Sequence, residues 1–119
     1  MFITIYTKKH GRFDLTKEEW CNNFPLYKVT FHRTDGPAII YYYKNRNVWR
    51  EYYYINDKRH RIDGPCEIYY CEDGSLKGEF YYIDDENYKK EDYYNLINEI
   101  KALPKSLRLT HELWWVREL

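Results

Sequence analysis

Residues 32–59 read HRTDGPAIIYYYKNRNVWREYYYINDKR, and residues 60–87, which follow without a gap, read HRIDGPCEIYYCEDGSLKGEFYYIDDEN. Placed over one another, the two segments are identical at 13 of 28 positions. Self-similarity at a fixed period is typical of repeat proteins, in which each unit buries its face against the next. The sequence therefore predicts two tandem units. Each opens with one motif, made of His32, Arg33, Asp35, Gly36 and Pro37 in the first unit and of His60, Arg61, Asp63, Gly64 and Pro65 in the second.

Each unit carries the signals of a β-hairpin. Asp-Gly-Pro is a turn, because Asp can hydrogen-bond the downstream backbone, Gly accepts a positive φ and Pro fixes the direction in which the chain leaves. Segments rich in Ile and Tyr predict strands at 38–43 and 66–71, with return strands at 48–55 and 76–83. The predicted fold is mainly β (α+β): an antiparallel meander of repeated β-hairpins, with a short N-terminal helix and a C-terminal capping helix.

Alternation with a period of two assigns each strand position to a face of the predicted sheet. Positions that stay apolar in both units are predicted to point inward: Ala38/Cys66, Ile40/Ile68, Tyr42/Tyr70, Val48/Leu76, Tyr52/Phe80 and Tyr54/Tyr82. The other face mixes charges with large rings: Ile39/Glu67, Tyr41/Tyr69, Tyr43/Cys71, Trp49/Lys77, Glu51/Glu79 and Tyr53/Tyr81. Accessible aromatic surfaces of this kind are typical of protein-binding hot spots, so this face is predicted to bind a partner.

The N-terminal flank is predicted to cap the first unit. Residues 2–6, Phe-Ile-Thr-Ile-Tyr, are all aromatic or β-branched, which indicates a strand. Thr16 and Glu19 have the spacing of a capping box, which predicts a short helix over about 16–22. Residues 26–31 are interpreted as a degenerate strand that leads into the first motif.

The C-terminal flank is predicted to cap the last unit. Residues 90–103 carry apolar side chains at near-helical spacing and end before Pro104, which indicates an amphipathic helix. The apolar tail 105–119 fits a helix or a strand equally, and it is expected to dock on the sheet or on a partner. The whole chain, 1–119, is therefore predicted to be a single domain, with an N-terminal cap at 1–31, two hairpin units at 32–87 and a helical cap and tail at 88–119.

Composition narrows the classes of partner. The chain has 119 residues with 19 basic and 19 acidic side chains, a size that fits one compact domain and a charge that gives no general attraction to nucleic acid or to an anionic membrane. Apolar stretches fall short of the roughly 20 residues that cross a bilayer, so no membrane partner is expected. Three cysteines, an odd number, and the lack of a recognisable secretion signal indicate a cytoplasmic protein.

The residues that could support catalysis or bind a metal have simpler interpretations. Catalysis needs one asymmetric constellation, whereas the motif histidines occupy equivalent places in two copies, so no catalytic residue and no enzyme activity are predicted. Each motif Arg is expected to pair with the motif Asp and each imidazole to pack on a Tyr ring. His60, Cys66 and Cys71 lack the usual spacing of zinc ligands, and the first unit has Ala38 and Tyr43 at the cysteine positions. Neither a metal nor a cofactor is predicted.

Single-stranded nucleic acid is an alternative partner. Aromatic side chains on a sheet with basic residues nearby can stack bases, and this chain has Arg46, Arg50, Lys58, Arg59 and Arg61 in that region. Acidic side chains share the surface, however, and a non-specific strand binder normally needs a positive groove. They are Glu51, Glu67, Glu72 and Glu79.

The two His-Arg-x-Asp-Gly-Pro motifs, each followed by a Tyr-rich hairpin and by Tyr-Ile-Asn-Asp or Tyr-Ile-Asp-Asp, resemble the MORN-like repeat family with His-Arg-x-Asp-Gly-Pro-Ala units. The resemblance covers about residues 24–103, including the family's habit of ending the last unit in a helix. It departs from the family at Cys66, where Ala is usual, at Asp57 and Asp85, where the turn usually has Gly, and at Tyr88-Lys89, where a third His-Arg would stand. The third unit is therefore interpreted as a cap.

The resemblance implies a binding scaffold, found in phages, giant viruses and bacteria, with some bacterial members similar to immunity proteins that neutralise a toxin. The predicted function is a non-catalytic protein-binding module, in particular a small viral or phage accessory protein that inhibits a host factor, such as a defence system or a toxin, in the host cytoplasm. A protein partner is expected, and self-association is left open. The predicted partner-binding residues are Tyr41, Tyr43, Trp49, Glu51, Tyr53, Tyr69, Tyr81, Trp114 and Trp115.

Overall fold

The computed structural model describes residues 2–23, 29–109 and 113–118. These described residues are mainly β, with three short helices: α1 (Lys17–Asn23), α2 (Lys90–Lys101) and α3 (Lys105–Leu109). The strands are β1 (Phe2–Thr7), β2 (Gly11–Thr16), β3 (Ile39–Tyr42), β4 (Val48–Tyr52), β5 (Tyr54–Ile55), β6 (Lys58–Arg59), β7 (Glu67–Tyr70), β8 (Leu76–Ile83) and β9 (Glu86–Tyr88). Seven of them form one antiparallel sheet in the order β2-β1-β3-β4-β7-β8-β9, and β5 pairs with β6.

The pairing of β3 with β4 is repeated in β7 and β8, 28 residues further along the chain. Ile39 lies opposite Tyr52, and Glu67 lies opposite Phe80. Both pairs of strands contain a β-bulge, at which the register shifts by one residue after Tyr41 and after Tyr69. The extra residue is in the return strand, where Trp49 and Lys77 have no direct partner in the pairing.

Two tight turns also correspond at the same offset. Asn56 and Asp57 join β5 to β6 with φ values of 48° and 68°, and Asp84 and Asp85 join β8 to β9 with values of 49° and 72°. Two consecutive residues with positive φ are typical of the type I′ turn, which fits the twist of a two-residue hairpin. Asp is an acceptable residue there because its short polar side chain tolerates the left-handed region.

The bulges make the predicted face assignment wrong for the return strands. Tyr41 lies opposite Arg50, so these two side chains share a face, whereas Glu51 lies opposite Ile40 on the other face. A shift of one residue moves all the later side chains of a strand to the other face. Alternation counted through the bulge at Trp49 therefore placed Glu51 and Tyr53 with Tyr41, and the structure separates them.

Burial corrects the assignment further. Leu76 and Phe80 were predicted to point inward, but they are 55% and 47% exposed. Ile39, Glu67 and Tyr81 were predicted to point outward, but they are buried. The reason is that neither face is covered along its whole length, since different segments cover opposite faces at the two ends of the sheet.

The N-terminal core lies on the face that carries Tyr41. Ile3, Ile5 and Ile39 form its buried centre, and Trp20 of α1 packs against it. Tyr41 and Tyr52 lie at the border of this cluster, where they are only partly buried. Helix α1 therefore covers one end of this face.

The C-terminal core lies on the opposite face. Tyr81 and Ile83 of β8 pack against α2 and the tail, and the buried cluster consists of Tyr81, Ile83, Tyr93, Ile97, Trp115 and Val116. Tyr81 follows Phe80 directly in the strand, so the two rings point to opposite sides of the sheet. The principal dimensions of the molecule are 48 × 33 × 19 Å, as expected for a long sheet with a cap at each end.

Both flanks contain elements that the sequence indicated only in part. The capping box forms, since the Thr16 N–H donates to Glu19 Oε1 and the Glu19 N–H donates to Thr16 Oγ1, each at 3.2 Å. Strand β2 was not predicted, although Phe13 and Leu15 alternate with polar residues in it. The strand predicted at 26–31 falls largely outside the described residues, and Phe31 forms an isolated bridge with Thr7.

At the C-terminal end, α2 stops two residues earlier than predicted, at Lys101. The tail contains α3 and a short 3-10 turn at Val116–Glu118, and no strand is found in its described part. None of the helices in the described ranges combines the length and the apolar character that a membrane span requires.

Candidate interaction surface

The two motifs fix their arginines in the same way. The Arg33 guanidinium stacks on the Tyr6 ring, with Cζ 3.9 Å from the ring centre, and it donates to Asp35 at 2.9 Å and to the Pro37 carbonyl at 3.1 Å. The second motif repeats these contacts: Arg61 stacks on Tyr53 at 4.0 Å and donates to Asp63 at 3.0 Å and to the Pro65 carbonyl at 2.9 Å. The predicted Arg–Asp pairs are therefore present.

A glycine in each motif leaves room for this arginine. A Cβ on Gly36 would lie 2.8 Å from Arg33 Cζ, and a Cβ on Gly64 would lie 3.1 Å from Arg61 Cζ. The guanidinium is held by hydrogen bonds and by the ring, so it cannot move away freely. The motif thus packs an arginine between a tyrosine ring and a glycine.

Gly36→Ala is accordingly expected to lower the free energy of unfolding by about 1–3 kcal/mol, the usual cost of overpacking. Chemical denaturation of the purified variant measures this change. Gly78→Ala is the matched control, because a Cβ there meets only the Phe80 ring at 3.9 Å. A Gly36→Ala variant as stable as the Gly78→Ala variant would show that the packing of Arg33 against Gly36 is not tight.

The motif histidines accept backbone hydrogen bonds from the type I′ turns. Asn56 donates its N–H to His32 Nδ1 at 3.0 Å, and Asp84 donates its N–H to His60 Nδ1 at 2.9 Å. The expectation that each imidazole packs on a tyrosine is wrong for His60, whose ring lies 4.6 Å from the Trp114 ring because the tail folds over it. Burial lowers the pKa of His60 to about 4.

Aromatic rings form a continuous row on the face that carries Tyr41, beyond the part covered by α1. Neighbouring ring centres in this row lie 5.5–6.1 Å apart, mostly edge to face, which is a favourable arrangement for aromatic pairs. The row, called the aromatic face below, runs across β3, β4, β7 and β8. Its members are Tyr43, Trp49, Tyr41, Tyr52, Tyr69 and Phe80.

Arg50 lies at the centre of the aromatic face. Its Cζ is 4.2 Å from the centre of the Trp49 ring and 5.1 Å from that of Tyr69. The Tyr52 hydroxyl accepts from Arg50 at 3.4 Å, and the Tyr69 hydroxyl donates to Glu67 at 3.2 Å. Burial, together with the Tyr52 hydroxyl and the Glu67 carboxylate, raises the pKa of Tyr69, so this phenol stays neutral. The face combines one fixed cation with hydroxyls and half-buried rings.

The structure brings together only some of the predicted binding residues. Tyr41, Tyr43, Trp49 and Tyr69 lie on the aromatic face. Sequence reasoning missed Arg50, Tyr52 and Phe80, which belong to the same surface, because it counted alternation through the bulges. The sequence offered no signal for the bulges, since Trp49 is followed by Arg50 whereas Lys77 is followed by Gly78.

The other predicted binding residues lie elsewhere. Glu51 and Tyr53 are on the opposite face, where Arg61 covers the Tyr53 ring. Tyr81 and Trp115 are buried in the C-terminal core, 3% and 4% exposed, so the structure corrects the prediction that they are accessible. Trp114 is half-buried against His60. These five residues are not part of the aromatic face.

The remaining candidates for chemistry are Cys66 and groups of metal-ligating side chains. Cys66 is buried, its thiol donates to the Tyr53 carbonyl at 3.1 Å, and burial raises its pKa to about 12. A thiol held in that form is a poor nucleophile. Among the described residues, no group of three or more His, Cys, Asp or Glu side chains is placed to hold a metal ion.

Comparison with known proteins finds no matching family model, no matching curated protein and no matching solved structure. The likeness to MORN-like repeats consequently stays a prediction from the motif.

Proposed function

We propose that this chain is a non-catalytic protein-binding module and that the aromatic face is its binding surface. The observation that carries the proposal is the row of contacting rings around Arg50, all of which remain partly accessible. Tyr, Trp and Arg are the residue types that dominate protein-binding hot spots. Their rings and guanidinium are already fixed by mutual contacts, so little conformational entropy would be lost when a partner binds.

We further propose that the two 28-residue segments are hairpin units of one repeat scaffold, with residues 1–31 and 88–119 as caps. The matching bulges, type I′ turns and arginine contacts support this interpretation. The resemblance to MORN-like units extends the proposal to a small viral or phage accessory protein that inhibits a host factor, a defence system or a toxin, in the cytoplasm. Self-association is a further mode of binding that the same surface would allow.

Trp49→Ala is expected to weaken binding of the partner by about tenfold or more, as at a hot spot. The experiment has two steps. Affinity capture from host cells with mass spectrometry first identifies a partner, and titration of the purified partner against each variant then gives the affinities. Phe80→Ala, at the other end of the aromatic face, is expected to weaken binding as well.

Leu107→Ala provides the matched control, because Leu107 is a similarly exposed apolar residue that lies in α3, outside the aromatic face. Circular dichroism and thermal melting of each variant separate loss of binding from loss of folding. Full affinity in both Trp49→Ala and Phe80→Ala would refute the proposal.

The second candidate function is binding of single-stranded nucleic acid. It is favoured by the Arg50 guanidinium over the Trp49 ring, because a cation beside an accessible ring could support base stacking. Glu67 adjoins the same surface and would repel phosphates. A fluorescence titration with a single-stranded oligonucleotide at low salt separates the two functions: saturable binding that weakens with salt would favour nucleic acid, and no binding would end this alternative.

A further inference from the structure

One edge of the sheet is only partly paired. Strand β8 pairs with β7 through Leu76–Phe80 and with β9 through Tyr81–Ile83. On the β9 side, no strand among the described residues pairs with the segment Leu76–Phe80. This segment of β8 is called the open edge below.

The open edge presents backbone hydrogen-bonding groups. The Phe80 carbonyl accepts the Cys66 N–H at 2.8 Å, so Phe80 directs its backbone groups towards β7. Alternate residues of a strand direct their N–H and C=O to opposite neighbours. Glu79 therefore directs its N–H and C=O away from β7, to the open edge.

In the first unit, a strand of the chain occupies the position that corresponds to the open edge. In the first unit the equivalent segment, Arg50–Tyr52 of β4, is paired with Tyr69–Glu67 of β7. The residues that stand 28 positions after β7 are 95–98, and they are part of α2 instead of a strand. The second unit thus lacks the strand that completes the first.

A groove of about 480 Å³ runs along the open edge. One wall is formed by residues 76–81 and the other by residues 87–90, between the end of β9 and the start of α2. Lys77, Lys89 and Lys90 line it against a single carboxylate, that of Glu79. The excess of positive charge favours an acidic occupant.

We propose that the open edge takes up an extended acidic peptide segment of a partner protein as an additional antiparallel strand. Addition of a strand satisfies the edge N–H and C=O groups and gives affinity, while the flanking side chains give specificity. Peptide side chains opposite Gly78 and Phe80 would lie on the aromatic face and extend its row of rings. The inference rests on the proposed function, because the open edge adjoins the Phe80 end of the aromatic face and the peptide would belong to the same partner.

The probe is a fluorescein-labelled peptide with the sequence of residues 66–73, with serine in place of both cysteines, SEIYYSED. It reproduces β7, the strand that fills the equivalent position, and it is acidic. Fluorescence anisotropy with the full chain is expected to show saturable binding. A scrambled peptide of the same composition is expected to bind at least tenfold more weakly, because it loses the matched register of the side chains.

Glu79→Pro tests the edge directly, because proline removes an N–H that β7 does not use and is tolerated on an open strand edge. Glu79→Pro is expected to lower the affinity for the peptide by about tenfold, which corresponds to about one lost backbone hydrogen bond. Glu79→Ala, which loses the same carboxylate but keeps the N–H, is expected to bind the peptide at least as well as the native chain. Thermal melts of both variants verify that they are folded.

Three results would overturn the inference: no saturable binding of the peptide, equal binding by Glu79→Pro and Glu79→Ala, or self-association of the chain that Glu79→Pro abolishes without any peptide binding. The last would assign the open edge to a second copy. Failure here is distinguishable from failure of the proposed function, since Trp49→Ala is tested against the captured partner and leaves the open edge intact.

Discussion

Replacing Tyr93 by alanine is expected to lower the free energy of unfolding by about 3–5 kcal/mol, the range for truncating a large buried aromatic side chain. Tyr93 is fully buried, and its ring lies 4.8 Å from that of Tyr81. Its hydroxyl donates to the Arg61 carbonyl at 2.7 Å and accepts the Gly64 N–H at 3.3 Å. This one side chain therefore joins α2, β8 and the second motif, and chemical denaturation measures its contribution.

Tyr93→Phe separates the hydroxyl from the ring. It keeps the packing but leaves a carbonyl and an N–H without their side-chain partner, so a smaller loss of about 1–3 kcal/mol is expected. Tyr94→Ala is the matched control, since this neighbouring residue is 39% exposed whereas Tyr93 is fully buried. If Tyr93→Ala were no more destabilising than Tyr94→Ala, the contact between α2 and the second motif would not contribute to stability.

The free energy of unfolding is expected to fall by up to about 3 kcal/mol as the pH drops from 6.5 to 4, because of His60. Burial lowers the pKa of His60 from 6.5 to about 4, so the unfolded chain binds a proton in this range before the folded chain does. The stabilising effect of the neutral imidazole is thus complete above pH 6.5 and is lost as the pH falls towards 4. Denaturation at a series of pH values measures the slope.

His60→Asn isolates this effect, because an amide oxygen can still accept the Asp84 N–H but does not titrate. The variant is expected to be less stable at pH 7, and its free energy of unfolding is expected to change less between pH 6.5 and 4. Asp85 does not interfere in this pH range. The Arg59 N–H and guanidinium lower the pKa of its carboxyl, so its contribution to the free energy of unfolding is lost only at lower pH. Parallel pH profiles for the native chain and His60→Asn would contradict a buried, neutral His60.

The features that the sequence predicted correctly depend on local rules. The capping box at Thr16 follows from the spacing of two side chains, and the Arg–Asp pairs follow from neighbouring residues in the motif. Strands β3 and β7 lie where Ile and Tyr accumulate. Each of these depends on residues that are close in the chain, so a single sequence contains the required information.

The faces of the strands could not be predicted in the same way. The bulge residue, Trp49 or Lys77, has no sequence signature that sets it apart from a regular strand position, yet it reverses all the assignments that follow it. Burial of Tyr81 depends on α2, and that of His60 on the tail, contacts that join segments distant in the chain. The aromatic face was therefore predicted in part, with the wrong return-strand residues.

The packing of each motif arginine between a ring and a glycine has a consequence for the size of the protein. Tyr6 and Tyr53 accept the same stack although Tyr6 lies in β1 and Tyr53 lies in the first 28-residue segment. The same arginine–tyrosine contact can therefore join a 28-residue segment to β1 or to another 28-residue segment. If the two segments are units of a repeat scaffold, as proposed, each inserted segment would widen the sheet by two strands, roughly 10 Å.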